Sequence, residues 1–110
     1  MQLTGKCKEG FETWYKKTYH PTIKNNKNIF KLMWLVFYSL SESNKYGVYV
    51  DYFDSVGLNI TLTVEFDFGY IISEDKYQEI EEVKKWFDTR PLARTAAIEK
   101  ANEIRNESIN

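Results

Sequence analysis

Polar and apolar positions change period twice along the chain. Phe11, Trp14, Tyr15 and then Thr18 or Tyr19 recur three and four apart behind Thr4. That spacing predicts an amphipathic helix over about residues 5–19 with an aromatic stripe. The His20-Pro21 step ends it, because the residue before a proline is pushed out of the α region. Residues 22–28 (TIKNNKN) are polar and read as a loop, and Asn28 then offers an N-cap to a segment at 29–40. Within it Phe30, Met33, Phe37 and Leu40 fall at helical intervals. The unbroken apolar run 32–38 also fits a buried strand, and the spacing favours helix.

A polar break at 41–44 supplies Ser41 as a cap for 45–56, where Tyr46, Tyr49, Val50, Phe53 and Val56 share one side and Asp51, Asp54 and Ser55 the other. Gly57 is the expected left-handed stop. From 59 to 68 the alternation is strict. Ile60, Leu62, Val64, Phe66 and Phe68 take one face, and Asn59, Thr61, Thr63, Glu65 and Asp67 the other, which predicts a strand with one buried and one wet side. A turn near 67–69 and a short strand at 70–72 complete an antiparallel hairpin. Ser73 reads as the cap of a helix over EDKYQEIEEVKKWF (74–87), with acids first and Lys84 and Lys85 last, as the helix dipole prefers. Asp88 or Thr89 starts the last helix, with Pro91 in its first turn and Ala93, Ala97, Ala101 and Ile104 on a narrow small-residue face. Residues 1–4 and 107–110 are expected to fray. The order predicts an α+β fold, a small antiparallel β-hairpin or sheet packed against several helices in a single domain over 1–110.

A chain of 110 residues buries roughly 65% of its unfolded surface, enough for one core without metal or disulfide. Its 18 aromatics exceed what so small a core needs; core filling is their first reading and an interface their second. A net charge of −1 excludes a uniformly basic surface. The charge is nonetheless uneven. Residues 1–55 hold eight lysines against five acids, and residues 56–110 seven bases against eleven acids. Cys7 is the one cysteine, which fits a reducing compartment. The opening MQLTGKCKEG has no apolar stretch behind its charges, and the longest apolar run, seven residues, is far short of the ~20 that span a bilayer. The expected location is therefore the cytoplasm, with no membrane partner.

Candidate chemistry is sparse. One histidine, His20, and one cysteine supply neither a nucleophile with its base nor a zinc ligand set, and no glycine-rich phosphate loop is present. Neither a catalytic site nor a metal nor a cofactor is expected, and the chain reads as a non-enzymatic protein. Asp51 and Asp54, like Glu79 and Glu82, are spaced to project from one helix face, where solvation explains them. Arg90 and Arg94 lie at the start of the last helix, where the dipole disfavours cations. They call for a partner: an internal ion pair with Asp88, Asp54 or Asp51, or an external anion such as a phosphate-bearing ligand. Trp14, Tyr15, Lys16 and Lys17 form a basic, aromatic segment that suits stacking on nucleic acid.

Two segments carry a resemblance. Gly47, Val48, Asp51, Tyr52, Asp54 and Ser55 fit a G-V-x-x-D-[FYW]-x-D-S segment, and Phe87, Thr89, Arg90, Ala93, Arg94, Ala97, Ile98, Lys100 and Asn102 fit a closing F-x-[TS]-R-x-x-A-R-x-x-A-I-x-K-x-N helix. Together they resemble a group of short proteins encoded by bacteriophages and prophages. The segment 74–85 departs from that pattern. The resemblance implies that the Asp/Ser helix and the Arg helix belong to one fold unit, with Asp51 or Asp54 beside Arg90 or Arg94. The expected function is a small accessory protein that binds and modulates a host or phage protein, in counter-defence or host takeover, in the host cytoplasm. A nucleic-acid binder and a binder of a phosphate-bearing ligand are the alternatives, and homo-oligomerisation is left open.

Overall fold

The computed structural model describes residues 1–22, 27–74, 79–82 and 86–109. Its elements run α1 (Gly5–Tyr19), α2 (Lys27–Tyr38), α3 (Glu42–Ser55), β1 (Leu58–Val64), β2 (Phe68–Glu74), β3 (Glu79–Glu82) and α4 (Arg90–Ser108). The fold is α+β, as the change of period predicts.

Helix α1 has the expected bounds, but Thr4 does not cap it with its own side chain. Two amides of α4 do so instead. Asn106 accepts from the Cys7 N–H at 2.8 Å and donates to the Thr4 carbonyl at 3.0 Å. One turn earlier, Asn102 accepts from the Thr4 N–H and donates to its Oγ1, both at 2.9 Å. These bonds satisfy donors that a helix start otherwise leaves to water. Gly5 makes the approach feasible: its φ is +62°, and a Cβ there would meet the Asn106 amide at 3.1–3.3 Å. Leu3 is buried and α4 runs to Ser108, so both segments expected to fray belong to the fold as far as residue 108.

The run at 32–38 is helical. Helix α2 begins at Lys27, which places Asn28 inside its first turn rather than at its cap. Helix α3 begins at Glu42, three residues before the expected start. Ser41 Oγ accepts from the Asn44 N–H at 3.2 Å, and Glu42 pairs with Lys45 at 2.7 Å. Gly57, at φ 87°, follows its end as expected.

Two expectations for the β region need correction. The hairpin turn lies at 65–67, where the Glu65 N–H bonds the Asp67 carbonyl at 3.1 Å, and not at 67–69. β1 and β2 pair antiparallel from Leu58↔Glu74 to Val64↔Phe68, which leaves Val64 and Phe66 exposed near the tip instead of in the core. The alternation continues through Glu65, Phe66 and Asp67 because the turn keeps the polar–apolar order of the strand. The second correction is larger. In place of a helix over 74–87, β2 continues through Ser73 and Glu74, and Glu79–Glu82 forms β3 antiparallel to it, giving sheet order β1-β2-β3. Pairing here satisfies the second edge of β2, a tertiary gain that acids at a helix start cannot signal. The expected apolar positions Tyr77 and Val83 lie outside the described residues. Phe87 then exchanges two bonds with Phe68, at 2.8 and 3.0 Å, and so ties the lead into α4 to the start of β2.

Thr89 caps α4 by accepting from the Leu92 N–H at 3.3 Å, with Pro91 in the first turn. The small residues Ala93, Ala97 and Ala101, with Ile98, are fully buried. They let α4 lie close across β2 and β1 and against α3 and α1. Ile72, Tyr70 and Leu58 meet this face from the sheet.

Candidate interaction surface

The aromatic excess goes mainly into the core. Phe11 is its hub, with the rings of Trp14, Tyr15, Trp34, Phe37, Tyr49 and Tyr52 at centroid distances of 5.0–6.1 Å. Burial pushes the pKa of the Tyr46, Tyr49 and Tyr52 phenols up, so the core keeps these groups neutral.

The sequence candidates on α1 are divided between two sides of the helix. Tyr15 packs against Trp34 and Phe37 of α2, both at 5.1 Å, and Lys16 lies over the Phe30 ring at 4.4 Å. Trp14 turns the other way, onto Tyr52 at 5.6 Å, toward a groove that Lys17 also lines. The Trp14 and Tyr15 rings nonetheless both meet the Tyr19 ring, at 5.8 and 4.9 Å, so it is the two lysines that are divided.

Arg94 reaches α3 but does not meet a carboxylate there. Its Nη1 donates to Ser43 Oγ at 2.9 Å, and its guanidinium lies 5.6 Å from the Tyr46 ring centroid. Arg90 lies over the Phe68 ring at 5.5 Å. The ion pairs formed among the described residues are Lys45–Glu42 and Lys100–Glu103. Geometry explains the difference. Arg94 sits beside the first turns of α3 and Arg105 beside Tyr52 nearer its end, so the helices run parallel and Asp51 and Asp54 lie beyond reach of the α4 start. The Glu79 and Glu82 pair falls on strand β3 and not on a helix. Among the described residues no group of three or more His, Cys, Asp or Glu is placed to hold a metal ion.

The groove beside Trp14, of about 580 Å³, is lined by Lys6, Lys17 and Arg105 with Glu9, Tyr52 and Ser55. Arg105 Nε is buried there without a hydrogen-bond partner. Beneath it, Cys7 is fully buried, and burial pushes its thiol up to about 11 against the lowering effect of Arg105. A neutral, inaccessible thiol is a poor nucleophile.

The feature that stands out is α2. Only Met33 and Phe37 of this helix are buried, while Trp34 and Phe30 are half-buried against α1. On the opposite side Leu32, Leu35 and Val36 are 62%, 63% and 57% exposed, with Ile29 at 42%. Two shallow grooves flank this ridge. One, of about 490 Å³, lies between Trp34, Leu35 and Tyr38, and the other, of about 300 Å³, between Tyr15, Ile29, Met33 and Val36. A single exposed leucine is ordinary, whereas here a contiguous aliphatic ridge lies between two apolar grooves. No known family model, curated protein or solved structure matches this chain. The surface is thus read from its own chemistry. Leu32, Leu35 and Val36 were not among the sequence candidates, although a signal for them exists: a run apolar on every side, folded as a helix, must either be buried all round or show one apolar side to solvent.

No described helix is long and apolar enough to cross a membrane.

Proposed function

We propose that this chain is a small non-enzymatic interaction protein that binds and modulates a protein partner through the outer face of α2. The observation that carries this reading is the solvent-facing ridge of Leu32, Leu35 and Val36. Aliphatic side chains left in water gain about 25 cal/mol for each Å² a partner covers, so the ridge rewards association. The resemblance to short phage and prophage proteins supports a host or phage protein as target, with counter-defence or host takeover as the setting and the host cytoplasm as the place. Affinity capture from host lysate tests it, with tagged wild type compared with Leu32→Lys/Leu35→Lys and each lysate split into nuclease-treated and untreated halves. A stoichiometric protein held by wild type through nuclease treatment and lost by the variant is the expected result. Capture equal in both, or lost with nuclease, overturns it.

One observation favours a second reading, a small anionic ligand in the α1 groove: Lys6, Lys17 and Arg105 converge there beside the Trp14 ring, and Arg105 Nε is buried without a partner. Arg94 Nε, beside Ser43 and Tyr46, is likewise buried without a hydrogen-bond partner, so the start of α4 is a second place for such a ligand. A rise in melting temperature with pyrophosphate or nucleotides, abolished in Arg105→Gln, is its expected signature.

A further inference from the structure

The groove beside Trp14 gathers positive charge that the chain itself does not answer. Lys6, Lys17 and Arg105 line it, and none of them pairs with a carboxylate among the described residues, although Glu9 lines the same groove. Like charges brought together repel, and an anion held between them removes that cost. Arg105 is carried by α4 to a place beside the Tyr52 hydroxyl, with its Nε buried and without a hydrogen-bond partner. A guanidinium binds phosphate oxygens through two N–H bonds at once, and an ammonium adds a point charge.

The rest of the lining asks for more than charge. The Thr13 and Ser55 hydroxyls already donate to the carbonyls of Glu9 and Tyr52, so their oxygens, with the Glu9 carboxylate, are left as acceptors. Trp14 is half-buried and presents an indole ring to the groove. A Cβ at Gly10 would meet the Tyr52 hydroxyl at 2.8 Å, so glycine is what keeps this phenol against α1 at the floor. A ligand that suits all of these groups carries negative charge, hydrogen-bond donors and a flat ring together. An inorganic anion has only the first. Spacing agrees. Lys6 and Arg105 lie at the end where the Tyr52 hydroxyl donates to the Cys7 carbonyl, and Trp14 is eight residues beyond Lys6, about 12 Å along the helix axis. That separation is too long for one phosphate and suits a base joined to a di- or triphosphate chain. The volume of about 580 Å³ falls among those of small-molecule pockets, roughly 300–1,000 Å³.

We propose that this groove binds a nucleoside di- or triphosphate, with its phosphates on Lys6 and Arg105, its sugar beside Gly10 and its base against Trp14, an inference that rests on the reading of the groove as an anion site. Glu9, Thr13 and Ser55 then accept from the sugar hydroxyls and the N–H groups of the base, and Lys17, one turn beyond Trp14, donates to the base's ring nitrogens or carbonyl oxygens. The start of α4 suits a base less well, because the rings beside it, Phe68 and Tyr46, each already carry an arginine.

Titration calorimetry of the full chain with ATP, GTP and UTP, against pyrophosphate, adenosine and a short single-stranded oligonucleotide, tests the assignment. At least one of the three nucleotides is expected to bind about tenfold or more tighter than pyrophosphate, the gain that stacking one base supplies. Lys6→Gln and Arg105→Gln, each with an unchanged circular dichroism spectrum, are expected to weaken that binding about tenfold, and Arg94→Gln to leave it unchanged. The base is located by fluorine NMR of protein labelled with 5-fluorotryptophan. The resonance that Trp14→Phe removes is expected to shift with the nucleotide and not with pyrophosphate. Equal affinity for nucleotides and pyrophosphate, both lowered in Arg105→Gln, overturns the nucleotide while the anion groove stands. An oligonucleotide that binds more tightly than every nucleotide makes the groove a track for a strand and also overturns it. If no phosphate-bearing probe binds, or if binding is lost in Arg94→Gln alone, the nucleotide and the anion groove both fail.

Discussion

Cys7 lies in the core between α1 and α4, and the same burial that removes its reactivity makes it a reporter of the fold. Its thiol is pushed up to about 11 from an ordinary 9.0, so the native state holds the proton more tightly than the unfolded chain does. The sign follows. This stabilisation is fully present below about pH 9 and is lost as pH rises toward 11. The buried phenols of Tyr46, Tyr49 and Tyr52 are also shifted upward and act in the same direction at higher pH. Urea unfolding is therefore expected to give a constant stability from neutral pH to about 8.5, then a decline of roughly 2 kcal/mol by pH 11 from the thiol alone. Cys7→Ala should remove that part of the slope and leave the tyrosine part. A decline that is unchanged in Cys7→Ala would show that the thiol is not the group responsible.

At the scale of elements, α2 and β3 show where local pattern and tertiary context diverge. Helix α2 carries apolar residues on both sides, and only its neighbours decide which of them count: Phe37 meets Phe11 at 5.5 Å and Tyr49 at 5.7 Å, whereas Leu35 meets solvent. Phe37→Ala is expected to cost about 3–5 kcal/mol in chemical denaturation, as large core truncations do. Leu35→Ala should stay within about 0.5 kcal/mol when measured on dilute protein. Equal losses at the two positions would mean that the outer face is packed within the monomer. For β3 the local signals were those of a helix: Ser73 at a cap position, acids early and lysines late. The edge of β2 outweighs them, because unpaired backbone groups of Ile71–Ser73 cost more than a modest helix preference returns. Helices α1, α3 and α4 were legible because each has one apolar side at a steady helical period, with an identifiable stop for α1 and α3 and an identifiable start for α4.

For the molecule as a whole, the two ends of the sequence close the structure. Asn102 and Asn106 hold the start of α1 through four hydrogen bonds, and Leu3 is buried beside them. Asn106→Ala strands the Cys7 N–H and is expected to cost about 1–3 kcal/mol, read as a fall in the urea midpoint, whereas Asn106→Asp, which can still accept from that N–H, should cost less. A loss confined to a few tenths of a kcal/mol would show that water replaces the amide without penalty. The outline is elongated, 47 × 28 × 20 Å, with a radius of gyration of 14.8 Å against about 13 Å for a compact chain of this length. An extended shape raises the share of residues left at the surface. Part of that share is the outer side of α2, which the core made by α1, α3, α4 and the sheet does not cover.

What the sequence by itself determined is what depends on neighbours along the chain. The helix periods of α1, α3 and α4, the alternation of β1, the stops at Pro21 and Gly57, a cap at Asp88 or Thr89 and the α+β class all follow from spacing and backbone preference. Tertiary structure alone decided whatever depends on which surfaces meet. It ended the hairpin at residues 65–67, drew Glu79–Glu82 onto the edge of β2, gave Arg94 to Ser43 and Tyr46 instead of a carboxylate, and left Leu32, Leu35 and Val36 in solvent. The physical reason is common to all four: periodicity shows that a side chain is apolar or that a strand has an edge, and only the packed molecule shows whether anything remains to cover it.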